Sequence, residues 1–334
     1  MTDATRHAID ALFAPYDHPD VPGASVIVLR GSDPIYERAF GSADLETHTP
    51  ATVHTDYRLA SLTKAFTAMS ILLLVKDGKL HLDDRAIDVL PGFPEYGRDI
   101  RIRNLLTHTS GLVDYEDFVP DSQTAQLDDA DVLRLMHRTD RLDFPPGSQY
   151  HYSNSAFVLL GLIVQHVSGE PFPKFLHDRI FAPLHMDSTV AYVKGASTVP
   201  QRAYGYTGDS SGHFTRTDQS STSATLGDGG IYTSVTDMAK WNDALDHATL
   251  VDSAMMREAW SPTMLSTGKE SGYGYGWFVA TVNGRLQLRH HGESTGFTNG
   301  ILKYPQRNLS IVVLTNRTGG TPWAICDSIA AIVP

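Results

Sequence analysis

Apolar positions along the chain change texture twice. Ile9, Leu12 and Phe13 recur at helical spacing within residues 4–13, and Pro22-Gly23 then breaks the pattern, so the chain opens on a helix and a turn. Residues 24–29 are apolar and β-branched, Gly31-Ser32-Asp33-Pro34 supplies turn chemistry, and residues 35–40 resume an extended pattern. Together they predict a hairpin. Leu62, Ala65, Phe66, Met69, Leu72, Leu73 and Val75 then cluster on one face of a helix over residues 61–76 that ends before Asp77-Gly78. A second strong helix follows Ser155, where Phe157, Leu160, Leu162, Ile163 and Val167 recur until Ser168-Gly169 and Pro171. Residues 239–245 form a further helical piece. Past about residue 270 the extended texture returns at 275–282, 286–291, 300–304 and 309–314, with Asn283-Gly284 as a hairpin turn.

A two-stranded hairpin is too small to be stable alone, so the early one is expected to join the late strands in one antiparallel sheet. The helical middle is then an insertion. This predicts an α+β chain, residues 1–334, with an α/β subdomain from 1–59 and 251–334 and a mainly helical subdomain from 60–250. Terminal helices would flank the sheet, and a site would lie in the cleft between the two parts.

Composition narrows the function. The 334 residues are 41% hydrophobic, enough for a substantial core, with 27 Lys plus Arg against 38 Asp plus Glu and a net charge of −11. That acidity argues against nucleic acid and anionic membrane as partners. A single cysteine, Cys326, excludes an internal disulfide and a cysteine metal cluster. Residues 1–14 lack the basic start and unbroken apolar run of a secretory signal, so the chain as written reads as cytoplasmic.

Ser61-Leu62-Thr63-Lys64 sets a hydroxyl and an amine three positions apart at the start of the best helix, on one face. A serine is a weak nucleophile until a base takes its proton, and the helix start adds N–H groups for a developing oxyanion. Taken in isolation, a Ser-x-x-Lys is more often an N-cap and a solvated lysine than a reactive pair. Indeed Ser266-Thr267-Gly268-Lys269 matches the pattern in a Gly-rich stretch expected to be a loop. Gly292-Glu293-Ser294-Thr295-Gly296 matches the nucleophile elbow of α/β-hydrolases, which requires a helix after the turn; an extended run follows instead. Tyr152-Ser153-Asn154 precedes the second helix, and its phenol and amide could share a cleft with the lysine. His290-His291-Gly292 ends a strand, where the glycine would let a substrate approach closely. Successive strand residues face opposite ways, so the two histidines do not chelate one metal, and no metal or cofactor is expected.

Taken in order, Ser61-x-x-Lys64, Tyr152-x-Asn154 and His290-x-Gly292 resemble the three motifs of serine β-lactamases and penicillin-binding proteins. Flanking stretches are similar to β-lactamase-related hydrolases, including family VIII-type esterases and D-aminopeptidases: Tyr57-Arg58-Leu59-Ala60, Leu105-Leu106-Thr107-His108-Thr109-Ser110-Gly111, Pro146-Gly147, Pro183-Leu184, Gly229-Gly230-Ile231-Tyr232 and Gly296-Phe297. The resemblance covers nearly the whole chain and implies a β-lactamase/penicillin-binding-protein-like fold. It further implies a Ser61 acyl-enzyme, with Lys64 and Tyr152 moving the proton and Asn154 holding the substrate. His290, His291 and Gly292 would border the substrate, and the oxyanion hole would use the N–H groups of Ser61 and Glu293. Relatives with lysine at the third motif use its charge on a substrate carboxylate. His290 would lack that charge at neutral pH, and Arg289 should face the other side of the strand. A small neutral carboxylic ester is therefore the expected substrate, with a D-amino-acid amidase or peptidase, a weak β-lactamase, or a non-catalytic sensor as competitors. Only an anionic substrate should gain strongly in acid.

Overall fold

Helix α1 (Asp3–Leu12) is capped by Thr2, whose hydroxyl accepts from the Thr5 N–H. In this computed structural model, which describes residues 1–334, strands β1 (Ala24–Arg30) and β2 (Asp33–Phe40) form the early hairpin. Short strand β3 (Tyr57–Arg58) leads into one 3₁₀ turn (Ala60–Leu62) and helix α2 (Thr63–Lys76). Helix α3 (Asn154–Ser168) starts from the Ser153 cap and ends at Gly169. Strand β4 (Ile231–Thr233), paired with β3, precedes α4 (Val235–Asp246). The last third contributes β5 (Phe278–Val282), β6 (Arg285–Ser294), β7 (Phe297–Tyr304), β8 (Leu309–Thr315) and helix α5 (Pro322–Ile332).

The early hairpin does join the late strands. The six-stranded sheet runs β5-β6-β7-β8-β1-β2, antiparallel throughout, with Val26 opposite Val313. Val26, Val28, Ile311 and Val313 face Ile9, Phe13, Cys326 and Ile329 of the terminal helices. On the other face Ile27, Leu29, Val312 and Leu314 join the large core shared with the helical region. Both central strands are covered on two sides, which is why their sequences read as unbroken apolar runs rather than alternation.

Helix α2 departs from the one-faced amphipathic pattern expected of it, because every residue from Thr63 to Leu74 is buried. It runs through the middle of the helical region, so its polar residues find partners inside. Thr67 Oγ1 donates to Gly227 O at 2.6 Å and Ser70 Oγ to Phe66 O at 2.9 Å. The Phe66 ring stacks on Trp241 of α4 with centroids 4.1 Å apart. The two decoy motifs also resolve. Ser294 ends β6 and β7 begins at Phe297, so the elbow pattern is a hairpin link without a helix. Ser266 to Lys269 lies in a loop bracketed by a Met264–Glu270 bridge.

Because Phe66 pins helix α2 to α4, Phe66→Ala should destabilise the protein by about 3–5 kcal/mol, read from the urea midpoint at unchanged m-value. A loss under about 1 kcal/mol would mean that α2 is held elsewhere.

Candidate active site

Ser61 sits in the 3₁₀ turn rather than in the helix proper. Ala60 before it has φ of +50°, a left-handed conformation that L-residues adopt only when surroundings enforce it. The enforcement is visible. Buried Asn299 of β7 donates from Nδ2 to the carbonyls of Arg58 at 2.8 Å and Leu59 at 3.3 Å, while its Oδ1 accepts from the Thr315 N–H at 3.0 Å. Gly292 of β6 closes against the same backbone, since a Cβ there would meet Leu59 O at 2.1 Å. The glycine of the third motif therefore makes room for the turn carrying Ser61, not for a substrate. β5 begins only at Phe278, opposite Arg289, so residues 290–294 of β6 extend past it alongside this turn.

Lys64, completely buried on the first turn of α2, donates to Ser61 Oγ at 3.0 Å, Asn154 Oδ1 at 2.8 Å and Asp228 O at 3.1 Å. Three acceptors match the three N–H bonds of an ammonium. Asn154 thus faces the lysine, and its Nδ2 donates to Glu116 Oε1 at 3.2 Å. Its backbone N–H donates to Asp114 Oδ2 at 2.5 Å, anchoring the start of α3. Burial and the neighbouring charges of Asp114 and Asp228 push the Glu116 carboxyl up to about 7, against the opposing pull of Lys64. The residue is solvent-accessible overall, yet its carboxylate lies at the cleft beside two others.

Tyr152 lays its ring over the Lys64 ammonium, 4.9 Å from Nζ to centroid. Its loop is fixed by His108, whose Nδ1 accepts from the Ser153 N–H at 3.1 Å and whose carbonyl accepts from the His151 N–H at 2.9 Å. The His108 and Tyr152 rings are 4.2 Å apart. His290 does not reach the substrate side as expected. It is 2% exposed, with Nε2 2.9 Å from Tyr273 Oη and Nδ1 2.7 Å from His291 O. A carbonyl only accepts, so Nδ1 carries the proton and Nε2 accepts from the tyrosine. Burial first, then the charge of Lys64, hold this imidazole well below its usual range, and so neutral. The acid-dependent gain expected for anionic substrates accordingly has no source here. His291 points to the opposite face, stacked on Phe278 at 5.6 Å and 5.7 Å from Trp323 of α5.

The cleft in front of Ser61 encloses about 430 Å³ and has one apolar lining residue, Ala60. Of the residues expected from sequence, Ser61, Asn154 and Glu293 line it, joined by Arg58, Glu116 and Asp228.

A family model described as Beta-lactamase matches residues 9–331. The chain belongs to the β-lactamase family. Penicillin-binding protein 4* of Bacillus subtilis (strain 168) is 30% identical to it over 340 residues, covering 97% of this chain and 74% of that protein. Other relatives at 29% identity are longer, and the chain spans 60% of their length. Among solved structures, the octameric penicillin-binding protein homologue from Pyrococcus abyssi superposes with a TM-score of 0.84 at 25% identity, over 99% of this chain and 77% of that one. The D-amino acid amidase from Ochrobactrum anthropi SV3 superposes with a TM-score of 0.81 at 23% identity, over 99% and 97%, a likeness of fold.

Within this β-lactamase-family site, sequence reasoning passed over four residues. Asp228 comes from a turn and Glu116 from a short 3₁₀ helix (Tyr115–Phe118), both far in sequence from the three motifs, and no local spacing marks them. His108 lies in a stretch noted only for its resemblance, and Asn299 reads as one polar position in a strand.

Two outcomes follow. Asn299→Ala removes the side-chain partner of the buried Thr315 N–H and of the Arg58 carbonyl and should lower stability by roughly 2–4 kcal/mol, from unsatisfied groups at about 1–3 kcal/mol each. Depressed histidines take up their protons only on unfolding, so His108 and His290 make stability fall as pH drops below about 6.5. Urea midpoints between about pH 7 and 5 should therefore slope less in His290→Gln than in the unaltered chain; equal slopes would refute a neutral buried His290.

Proposed function

We propose that this chain is a serine hydrolase that cleaves amides carrying a free amine next to the scissile carbonyl, the amino-acid amide class, through a Ser61 acyl-enzyme. One observation carries the choice of substrate. Glu116, fixed by Asn154, presents a carboxylate to the cleft in the company of Asp114 and Asp228. A small apolar acyl chain would meet only Ala60 there, so the preference for a simple ester drawn from the third motif gives way. An ammonium, by contrast, finds a ready counter-charge.

The chemistry follows from the same contacts. Ser61 Oγ attacks the carbonyl carbon as its proton passes to Tyr152, which acts as a phenolate beside the Lys64 ammonium and becomes the phenol that carries this proton onward. The N–H groups of Ser61 and Glu293 would hold the oxyanion. The proton passes to the departing nitrogen as the C–N bond breaks; water then cleaves the ester and returns a proton to Oγ.

D-Alaninamide and its N-acetyl derivative, assayed with the L-forms alongside, test this directly. The free amine should react at least ten-fold faster in kcat/KM, and Glu116→Gln should erase the difference. Ser61→Ala should abolish turnover and the covalent adduct seen by intact mass, and Tyr152→Phe should lower kcat by about 10²–10⁴. Because the Glu116 carboxylate must be ionised to bind the ammonium, kcat/KM should rise with pH through about 7, a limb that Glu116→Gln flattens. Equal rates on free and blocked amines would sink the amine assignment; an adduct without turnover would make the protein a sensor.

A further inference from the structure

A second cavity, of about 330 Å³, shares a wall with the cleft. In residues 223–228, Ser223, Thr225 and Asp228 line the cleft in front of Ser61, while Ala224 and Leu226 line the other cavity. Helices α2 and α3 pin this wall. Thr67 Oγ1 donates to Gly227 O at 2.6 Å, Lys64 Nζ donates to Asp228 O at 3.1 Å, and a Cβ on Gly227 would meet Phe157 O at 2.2 Å. On the cavity side one side chain holds it. Asp129, in the short helix Asp129–Leu135, accepts the Leu226 N–H on Oδ1 at 2.8 Å.

The other oxygen of that carboxyl is free. Asp129 is 8% exposed and lines the cavity, and its Oδ2 has neither a hydrogen-bond nor an ion-pair partner. Unlike the sealed Asp228 Oδ1, it keeps access to the cavity. Burial first, then the charges of Asp228 and Asp128, hold the carboxyl well above its usual range, against the pull of the Leu226 N–H. A cation in contact with Oδ2 would oppose both causes. The remaining walls are mostly apolar, among them Leu162 of α3, Tyr192 and Val193, and Val193 is a large apolar side chain left 37% exposed. Lys194, on the rim, is exposed. A single carboxylate among apolar walls offers a metal ion too few ligands, whereas an ammonium on an apolar body matches both features.

We propose that this cavity binds a small organic ammonium, a primary amine on an apolar body, with its nitrogen on Asp129 Oδ2 and its body against Leu162, Tyr192 and Val193. Its occupancy is felt at Ser61 through the shared wall, because Asp129 holds Leu226 and the residues after Leu226 give Lys64 its third acceptor. The site is separate from the carboxylates of the cleft, and it does not depend on the hydrolase assignment.

Benzylamine and benzyl alcohol, which have nearly the same shape and differ in charge, test the site by calorimetric titration. The titrations use Glu116→Gln, which removes the cleft carboxylate able to take an amine. Benzylamine should bind roughly ten-fold tighter or more. Asp129→Asn, which keeps an oxygen for the Leu226 N–H, should bring the ratio to about one, and Ala130→Trp, at an exposed lining position, should block both compounds. Hydrogen exchange locates the ligand independently of affinity. Benzylamine should slow the amides of Leu226 and Gly230, bonded to Asp129 Oδ1 and to Leu226 O, and Asp129→Asn should remove that protection. No saturable binding, equal affinity for amine and alcohol, or benzylamine binding that survives Asp129→Asn unchanged would each overturn the proposal. Should Asp129→Asn not fold by circular dichroism, Ala130→Trp carries the same comparisons, and benzylamine binding that survives it overturns the proposal as well.

Discussion

A buried ammonium with all its protons engaged holds this site together. Taking Lys64 out of water costs several kcal/mol unless each N–H is satisfied, and the three acceptors come from three separate parts of the chain: the 3₁₀ turn, the start of α3 and the loop before β4. The arrangement of those parts is therefore constrained by one side chain. Asn154 answers to the same requirement, since an oxygen turned to Lys64 leaves its amide N–H for Glu116.

Around that charge the protein sorts its ionisable groups by burial. His108 and His290 stay neutral because imidazolium would share a dry site with Lys64. They act as hydrogen-bonding struts, one for the Tyr152 loop and one against Tyr273. The carboxylates Asp114, Glu116 and Asp228 gather near Lys64, where burial first and then repulsion among them raise the Glu116 pKa. The resulting cleft is polar and locally acidic, with Arg58 the cation in its lining.

Ser61 is placed by the sheet as much as by the helix that follows it. Asn299 grips the carbonyls of Arg58 and Leu59, and Gly292 lets β6 press against Leu59, so the left-handed Ala60 has little room to relax. Strain at Ala60 persists when the neighbours on both sides are rigid. Here those neighbours are β6 and β7, strands far along the chain.

Much of this was legible in the residues. Apolar periodicity marked α1, α2, α3 and the six strands, because regular elements with buried faces impose their period on the sequence. The order of Ser61, Lys64, Tyr152, Asn154 and His290 likewise marked the family. What periodicity does not encode is direction and distance between remote segments. That Gly292 faces backbone instead of substrate, that His290 turns inward to Tyr273, and that Asp228, Glu116 and Arg58 meet at one cleft are results of packing. Pairing across long loops is decided by shape and by desolvation, and neither leaves a local pattern. The sequence by itself determined the family and the motif residues that mark it; only the tertiary structure decided which charges stand around them.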